Sequence, residues 1–411
     1  MGNLSNYFLA SVANRRNRRK SRMTRRLIDW VSDDRNLIVC GGRSGDEDSE
    51  AAAIQKKILA QAIDSAVERG RGALFAYSGP ELTQELRAAF AGDPDTVFFG
   101  VNTAYQPFDR NVSFSDAWDI LARSARCYAD RTGADFPVLS GILQFLLTIL
   151  RDHLDSRFFT FRNLCYLADH LLDRPGSGVR DADYTGEAAF FAWVERETGK
   201  RPSGFMLNLL TVNWEQLLAV FYPYWMELCR QLDTLRISGK AAPRSLYSCI
   251  RQGRVCICCL PSENSWLLQA CLFGELALLR KQGAGFDFLS QQVNLEGCKD
   301  DHFLDYPRCR SCLAGSSLKA MGLNGVLVHD PQYVCLGMSL ASDARDFLDA
   351  AVAAEERTEV QLNVGRWGTA GFGRTQKKPL TESDLMLRNI RDGQGYLIDS
   401  AGYRFIHFLL V

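Results

Sequence analysis

The sequence predicts an α/β fold with a mainly parallel sheet and an all-α segment inserted into it. Three observations carry this expectation. Short apolar runs that end in glycine alternate with helical periodicity, a long stretch of helix after helix interrupts them, and the alternation then resumes.

The first run, Leu37–Cys40, stops at Gly41-Gly42 and reads as a buried strand entering a tight turn. Helical spacing follows over Ser49–Arg69, with Ala53, Ile54, Ile58, Leu59, Ala62, Ile63 and Ala66 at three- and four-residue steps. Gly70 and Gly72 stop that helix, and Ala73–Tyr77 reads as a second strand ending at Ser78-Gly79-Pro80. A short helix and a third strand, Thr96–Phe99, complete a strand-helix-strand-helix-strand order, the pattern of parallel pairing. From about Phe114 to Arg236 the pattern is helical throughout, broken at Arg174–Gly178 and Gly199–Gly204. Strand character returns at Arg254–Leu260, Phe288–Leu295, Gly325–His329 and Tyr333–Met338, with helices at Ser265–Lys281, around Cys312–Met321 and at Ser342–Glu356. Gln394–Ile398 and Phe405–Leu410 are the last expected strands. The domain reading is a basic arm over 1–34, an α/β core over 35–111 and 241–411, and an all-α insertion over 112–240.

The 48 Lys and Arg cancel the 48 Asp and Glu, so no global field points to nucleic acid or membrane. The charge is nevertheless uneven. Arg15, Arg16, Arg18, Arg19, Lys20, Arg22, Arg25 and Arg26 crowd into twelve residues. Such an arm can meet phosphates of DNA or an anionic lipid surface, and it can equally be a solvated tail. Leu9, Val12, Met23, Leu27, Ile28 and Trp30 interleave with it, as in an interfacial helix. No run of eighteen apolar residues exists, and no apolar h-region precedes a cleavage site. Thirteen cysteines, three of them in the apolar stretch Cys256–Cys259, read as reduced thiols. The expected location is cytoplasmic, with the arm able to hold the chain at the inner face of the membrane.

The stretch Ile38–Glu50, IVCGGRSGDEDSE, stands where a phosphate-binding loop would stand, after a strand and before a helix. A working loop reads GxxxxGK[ST]: backbone amides cradle phosphate, Lys neutralises it and the hydroxyl holds Mg²⁺. Here Cys40 takes the first glycine slot, Gly45 the second, Asp46 the Lys slot and Glu47 the hydroxyl slot. Acidic residues suit a helix N-terminus, but each opposes phosphate by about 1 kcal/mol in water at about 4 Å. A loop that does not hold ATP tightly is expected, with Gly42, Gly45 and Ser49 as the remnants of a phosphate contact. The second requirement, an acid ending a buried strand, is met weakly. FLSQQVNLEG (288–297) offers Ser290, Gln291, Gln292 and Asn294, with Glu296 as the stand-in catalytic acid.

Cys298, His302, Cys309 and Cys312 are zinc ligands by type, but a single CxxC at this spacing fits no standard finger, and free thiols in a surface loop are expected instead. Gly365–Lys378 is glycine-rich and basic but follows no buried strand, so a surface loop is the reading there.

Taken in order, these parts resemble the coupling ATPases of type IV secretion and conjugation, the TraG/TraD-like family. ALFAYSGP and TVFFGVNTAYQPFD resemble two successive core strands of that family, just before its all-α domain. GRVCICCLPSENSWLLQACLFGELALLRK resembles the strand and long helix ahead of the second acidic motif. In the tail, Lys378-Pro379-Leu380, Asp384-Leu385-Met386 and Gly395-Tyr396-Leu397-Ile398 match in order. The resemblance spans roughly residues 35–411 and implies a RecA-like P-loop core, ATP with Mg²⁺, partner subunits of a secretion or conjugation complex, and homo-oligomers. The departures alter what it implies for this chain. The Lys and Ser/Thr of the first motif are absent, the second acid is not recognisable, and His329 or Asp330 replaces a Gln that ends a later strand. A scaffold or recruitment subunit with no tightly held cofactor is expected. The alternatives are an ATP-dependent DNA or protein translocase with non-standard motifs, and a nucleic-acid-binding module acting through the arm.

Overall fold

The computed structural model describes residues 35–41, 50–79, 81–90, 93, 95–153, 159–172, 217–236, 243–261, 265–324, 326–337, 342–350, 394–399 and 402–407. Two compact units emerge. The first comprises Met1–Thr96, Gly253–Cys259 and Gly283–Val411; the second comprises Val97–Gln252 and Leu260–Gln282.

The first unit holds β1 (Asn36–Cys40), α1 (Glu50–Glu68), β2 (Ala73–Tyr77), α2 (Glu81–Phe90) and the start of β3 (Thr96–Phe98). It continues with β4 (Val255–Cys259), β5 (Phe286–Gln291), β6 (Cys309–Gly315), β7 (Pro331–Cys335), β8 (Gln394–Asp399) and β9 (Gly402–His407). These make a nine-stranded sheet in the order β3-β4-β2-β5-β6-β1-β7-β8-β9. From β4 to β7 every pairing is parallel, and β8 and β9 close the edge as antiparallel neighbours. β1, β2, β5 and β6 are buried along their whole length; this explains the near-continuous apolar runs of β1 and β2, whereas β5 and β6 carry polar residues inside the sheet.

Two of the expected elements are corrected here. Cys309–Gly315 is a strand, β6, where a helix around Cys312–Met321 is expected, and the helical part shrinks to a turn that closes from Met321 N to Ser317 O. The polar Arg310 and Ser311 hide a buried strand from hydropathy: Asp287 of β5, beside Arg310 in register, neutralises it, and Asn36 caps Ser311. Residues 326–330 contain no strand, and β7 begins only at Pro331. The apolar run there lies at the surface, with Leu327 47% exposed.

Side-chain amides fix the register of β1. Asn36 Oδ1 accepts from Ser311 N at 2.6 Å and Ser311 Oγ at 3.0 Å, and its Nδ2 donates to the His329 carbonyl. At the other end Gln55 of α1 donates to the carbonyls of Gly41 at 2.9 Å and Gly315 at 3.0 Å. Both groups are buried, so each amide satisfies backbone that the strand ends leave open.

The second unit contains α3 (Phe114–Thr132), α4 (Phe136–His153), α5 (Phe161–Leu172), a π-turn at Leu217–Phe221, α6 (Tyr222–Asp233), α7 (Leu246–Arg251) and α8 (Trp266–Lys281). Ser113 caps α3 by accepting from Asp116 N, and Gly133 ends it in the left-handed region. Gln231 of α6 reaches across to α8, where its Oε1 accepts from the first-turn N–H groups of Leu267 at 2.7 Å and Leu268 at 3.3 Å. Gly274 lets α8 approach α3 closely: a Cβ there would stand 3.4 Å from Ile120 Cα. Among the described residues no helix is long and apolar enough to cross a membrane.

Candidate functional site

In a parallel sheet, ligands bind beyond the carboxyl ends of the strands, where the strand order reverses. That reversal falls at β1, since the chain leaves it for β2 on one side and later reaches β7 on the other. Gly41, the last described residue of the strand's exit, has φ 144° and donates to the Gly315 carbonyl at 3.1 Å. A Cβ on it would lie 2.7 Å from Gly337 O and 2.8 Å from Leu336 Cβ. Gly41→Ala is therefore expected to cost about 2 kcal/mol or more, from backbone strain plus overpacking, read as a lower denaturant midpoint at unchanged slope. A variant within 0.5 kcal/mol of wild type, about the scatter of a neutral surface change, would refute this close approach.

Gly42, Gly45 and Ser49, with Asp46 and Glu47, lie outside the described residues, as do Arg15, Arg16, Arg18, Arg19, Lys20, Arg22, Arg25 and Arg26 of the arm and the Gly365–Lys378 segment. Glu296 opens a 3-10 turn, Glu296–Asp301, and is exposed; its backbone N donates to Asn294 Oδ1. It stands past the end of β5, which finishes in Gln291.

The four cysteine and histidine residues do not converge as far as they are described. Cys309 and Cys312 lie three residues apart on β6, so their side chains take opposite faces of the sheet, and both are buried instead of lying in a surface loop. Burial pushes the Cys312 thiol up to about 12, which keeps it protonated. His302 is exposed with φ 51°, and the side chain of Cys298 lies outside the described residues. Among the described residues no group of three His, Cys, Asp or Glu is placed to hold a metal.

What the fold does assemble is a small pocket lined by Ala52 and Lys56 of α1, Tyr77 and Gly79 at the end of β2, Leu82 of α2, and Gln291 and Gln292 at the end of β5. Ser78 N donates to Gln291 O at 3.2 Å, tying the two strand ends together. Gln292 turns the chain with φ 55°, a left-handed conformation for a residue with a side chain, held by its N–H on Ala314 O at 2.8 Å. The Tyr77 hydroxyl is taken by Thr83 Oγ1 at 2.9 Å, and burial raises its pKa. Lys56 is only 6% exposed and Gln291 5%, and Gln291 Oε1 has no hydrogen-bond partner among the described residues. The cavity measures about 10 Å³, room for one water-sized atom. Lys56 was legible in outline: it shares the inward stripe of α1 with Ala52, Leu59 and Ile63, a charge where the spacing asks for an apolar side chain.

Fold and site together define an α/β protein with a parallel sheet and a polar crevice beyond the strands' carboxyl ends. No protein-family model and no curated protein matches this chain. Among solved structures it is similar to VirB4 of Thermoanaerobacter pseudethanolicus, over 92% of this chain and 89% of that one, at 11% identity and a TM-score of 0.43. A score that low assigns neither a family nor an activity.

Proposed function

We propose that the chain is a degenerate relative of the type IV secretion and conjugation coupling ATPases, on the RecA-like P-loop plan, acting as a scaffold or recruitment subunit. The observation that carries this reading is the end of β5. Phosphoryl transfer needs a carboxylate there to hold Mg²⁺ or orient water, and this chain has the amides Gln291 and Gln292. The sheet order supports the plan, because β6 alone separates β5 from β1 and both strands end at the same edge. Asp46 and Glu47, in the slots of the phosphate-binding Lys and Ser/Thr, work in the same direction by repelling a triphosphate. In this reading the helices within 112–240 offer the partner surface, and the arm is the contact to DNA or anionic lipid.

Titration with a fluorescent ATP analogue and Mg²⁺ is expected to give no saturable binding and no turnover in the wild type. The Asp46→Lys, Glu47→Thr variant is expected to gain binding, since it removes two repulsive charges and restores the missing cation and hydroxyl. Wild-type turnover of ATP would sink the scaffold reading and leave the translocase. Salt-sensitive DNA binding lost on deleting residues 1–30, with no association with secretion subunits, would replace it with the nucleic-acid-binding module.

A further inference from the structure

We propose that Cys40, Cys335 and Met321 bind one soft monovalent metal ion, Cu(I), at the carboxyl end of β1. Cys40 is in register with Cys335 of β7 on one side and with Gly315 of β6 on the other. Side chains in register on parallel neighbours project from the same face of the sheet, so the two thiols stand side by side. Gly315 leaves the third place in that row open, and a thioether fills it. A Cβ on Gly315 would lie 2.5 Å from Met321 Cγ and 2.9 Å from Met321 Sδ. Sulfurs from β1, β7 and the turn after β6 therefore meet over one face of the sheet, and all three side chains are buried. Burial, the Cys335 thiol and the Asp343 carboxylate each raise the Cys40 pKa, which places the second thiol and a negative charge beside it.

The donor types choose the ion. Thiolate and thioether together select Cu(I), whereas zinc takes four thiolate, imidazole or carboxylate ligands. Counted over His, Cys, Asp and Glu alone, no trio forms among the described residues; the third donor here is a methionine. Spacing fits as well. Metal–thiolate bonds run to about 2.3 Å for zinc, so two sulfurs on opposite sides of one ion stand about 4.6 Å apart, close to the strand spacing of about 4.8 Å. A disulfide needs its Cβ atoms within about 4.5 Å, closer than in-register partners on parallel strands stand. An ion bridges this pair more readily than a direct bond does. Cu(I) keeps its oxidation state on binding, and each thiol that ligates it gives its proton to solvent. Cys40 and Cys335 each end a strand, which puts the site at the sheet's carboxyl edge. The site rests on these three residues and not on the scaffold role proposed above: wild-type ATP turnover would sink that role and leave the copper site standing.

The full chain, reduced and kept under nitrogen, is titrated with Cu(I) in competition with bicinchoninate, a chromophoric Cu(I) chelator. Its thirteen cysteines give a background, so the difference between variants is the readout. The Cys40→Ala, Cys335→Ala variant is expected to hold one Cu(I) fewer than the wild type at the same chelator concentration. Met321→Leu conserves the volume and is expected to hold that ion about tenfold more weakly or worse, at least what losing an outer partner of a metal ligand costs. Loaded with one equivalent of Cu(I), the wild type should show three sulfur neighbours in X-ray absorption at the copper edge, and Met321→Leu two. An equal concentration of Zn(II) is expected not to displace the copper, and displacement would overturn the choice of ion. Should the double variant fail to fold, Met321→Leu decides alone. The proposal is overturned if the double variant holds as many Cu(I) ions as the wild type, or if Met321→Leu changes neither the affinity nor the sulfur count.

Discussion

Replacing Asp287 with alanine is expected to cost about 3–5 kcal/mol of stability. Asp287 sits in the middle of the sheet with its side chain fully buried, between two guanidinium groups: Arg71 Nε at 3.2 Å from Oδ1 and Arg310 Nη2 at 3.0 Å from Oδ2. The two arginines respond differently to its loss. Arg71 is 28% exposed, so solvent still reaches it while its Nη2 donates to the carbonyls of Phe286 and Arg308, whereas Arg310 is 5% exposed and bound to Ser65 Oγ and the Ala62 carbonyl. Burial already lowers the Arg310 pKa, with Asp287 opposing that, so removing the carboxylate strands a cation in the sheet. Chemical denaturation should show the midpoint fall at unchanged slope. The Asp287→Leu, Arg310→Met double variant should recover most of the loss, because it removes both charges and keeps the volume. A single variant within 1 kcal/mol of wild type, the size of an exposed ion pair, would mean that this pair behaves as a surface pair.

Glu275 sets the second large effect, and its signature is pH. It lies in α8, fully buried, with Oε1 accepting from the Tyr105 hydroxyl and Oε2 from Tyr247 N, both at 2.7 Å. Burial raises its pKa well above the ordinary carboxylate value; the two hydrogen bonds pull it down, and the nearby Asp109 and Cys249 push it up further. A raised acid favours the folded state fully below the unfolded value of about 4.3, and that contribution is lost as pH rises through the folded value. Within that window each pH unit removes up to about 1.4 kcal/mol. Glu275→Gln mimics the protonated acid, so it should flatten the stability profile and exceed wild type at neutral pH. Glu275→Ala should instead cost about 2–5 kcal/mol at low pH by leaving a cavity and two unmet donors, a cost that shrinks as pH rises and the wild type loses its own contribution. Parallel wild-type and Gln profiles from pH 4 to 8 would exclude this role for Glu275.

Much of the sheet was legible because β1 and β2 are buried on both faces and meet that condition with near-continuous runs of apolar residues. β6 was illegible for a specific reason. Its Arg310 is tolerable only because Asp287 stands beside it in register, a pairing that hydropathy along one chain segment cannot reveal. The reverse error came at Gly325–His329, where an apolar run reads as a strand although Leu327 faces solvent and no sheet edge takes it up. At the site, Ser290, Gln291 and Gln292 were visible as polar residues in a strand, but their meaning was not. Only the meeting of β5, β2 and α1 shows that Gln291 and Lys56 share one cavity. The spacing of Cys309 and Cys312 suggested ligands, and the two-residue period of a strand separates them.

The place of β1 in the sheet has a consequence for how the molecule is born. Its first residue, Asn36, pairs with Ser311, 275 positions later, and its other neighbour, β7, comes later still. At about 5–20 residues per second, a ribosome needs roughly 15–55 s to deliver that partner. During that wait β1 and its apolar side chains have no edge to join, and closing so long a loop makes the pairing slow even once synthesis ends. The emerging chain should therefore be a client of holding chaperones until β6 appears, and truncations ending before residue 309 should aggregate.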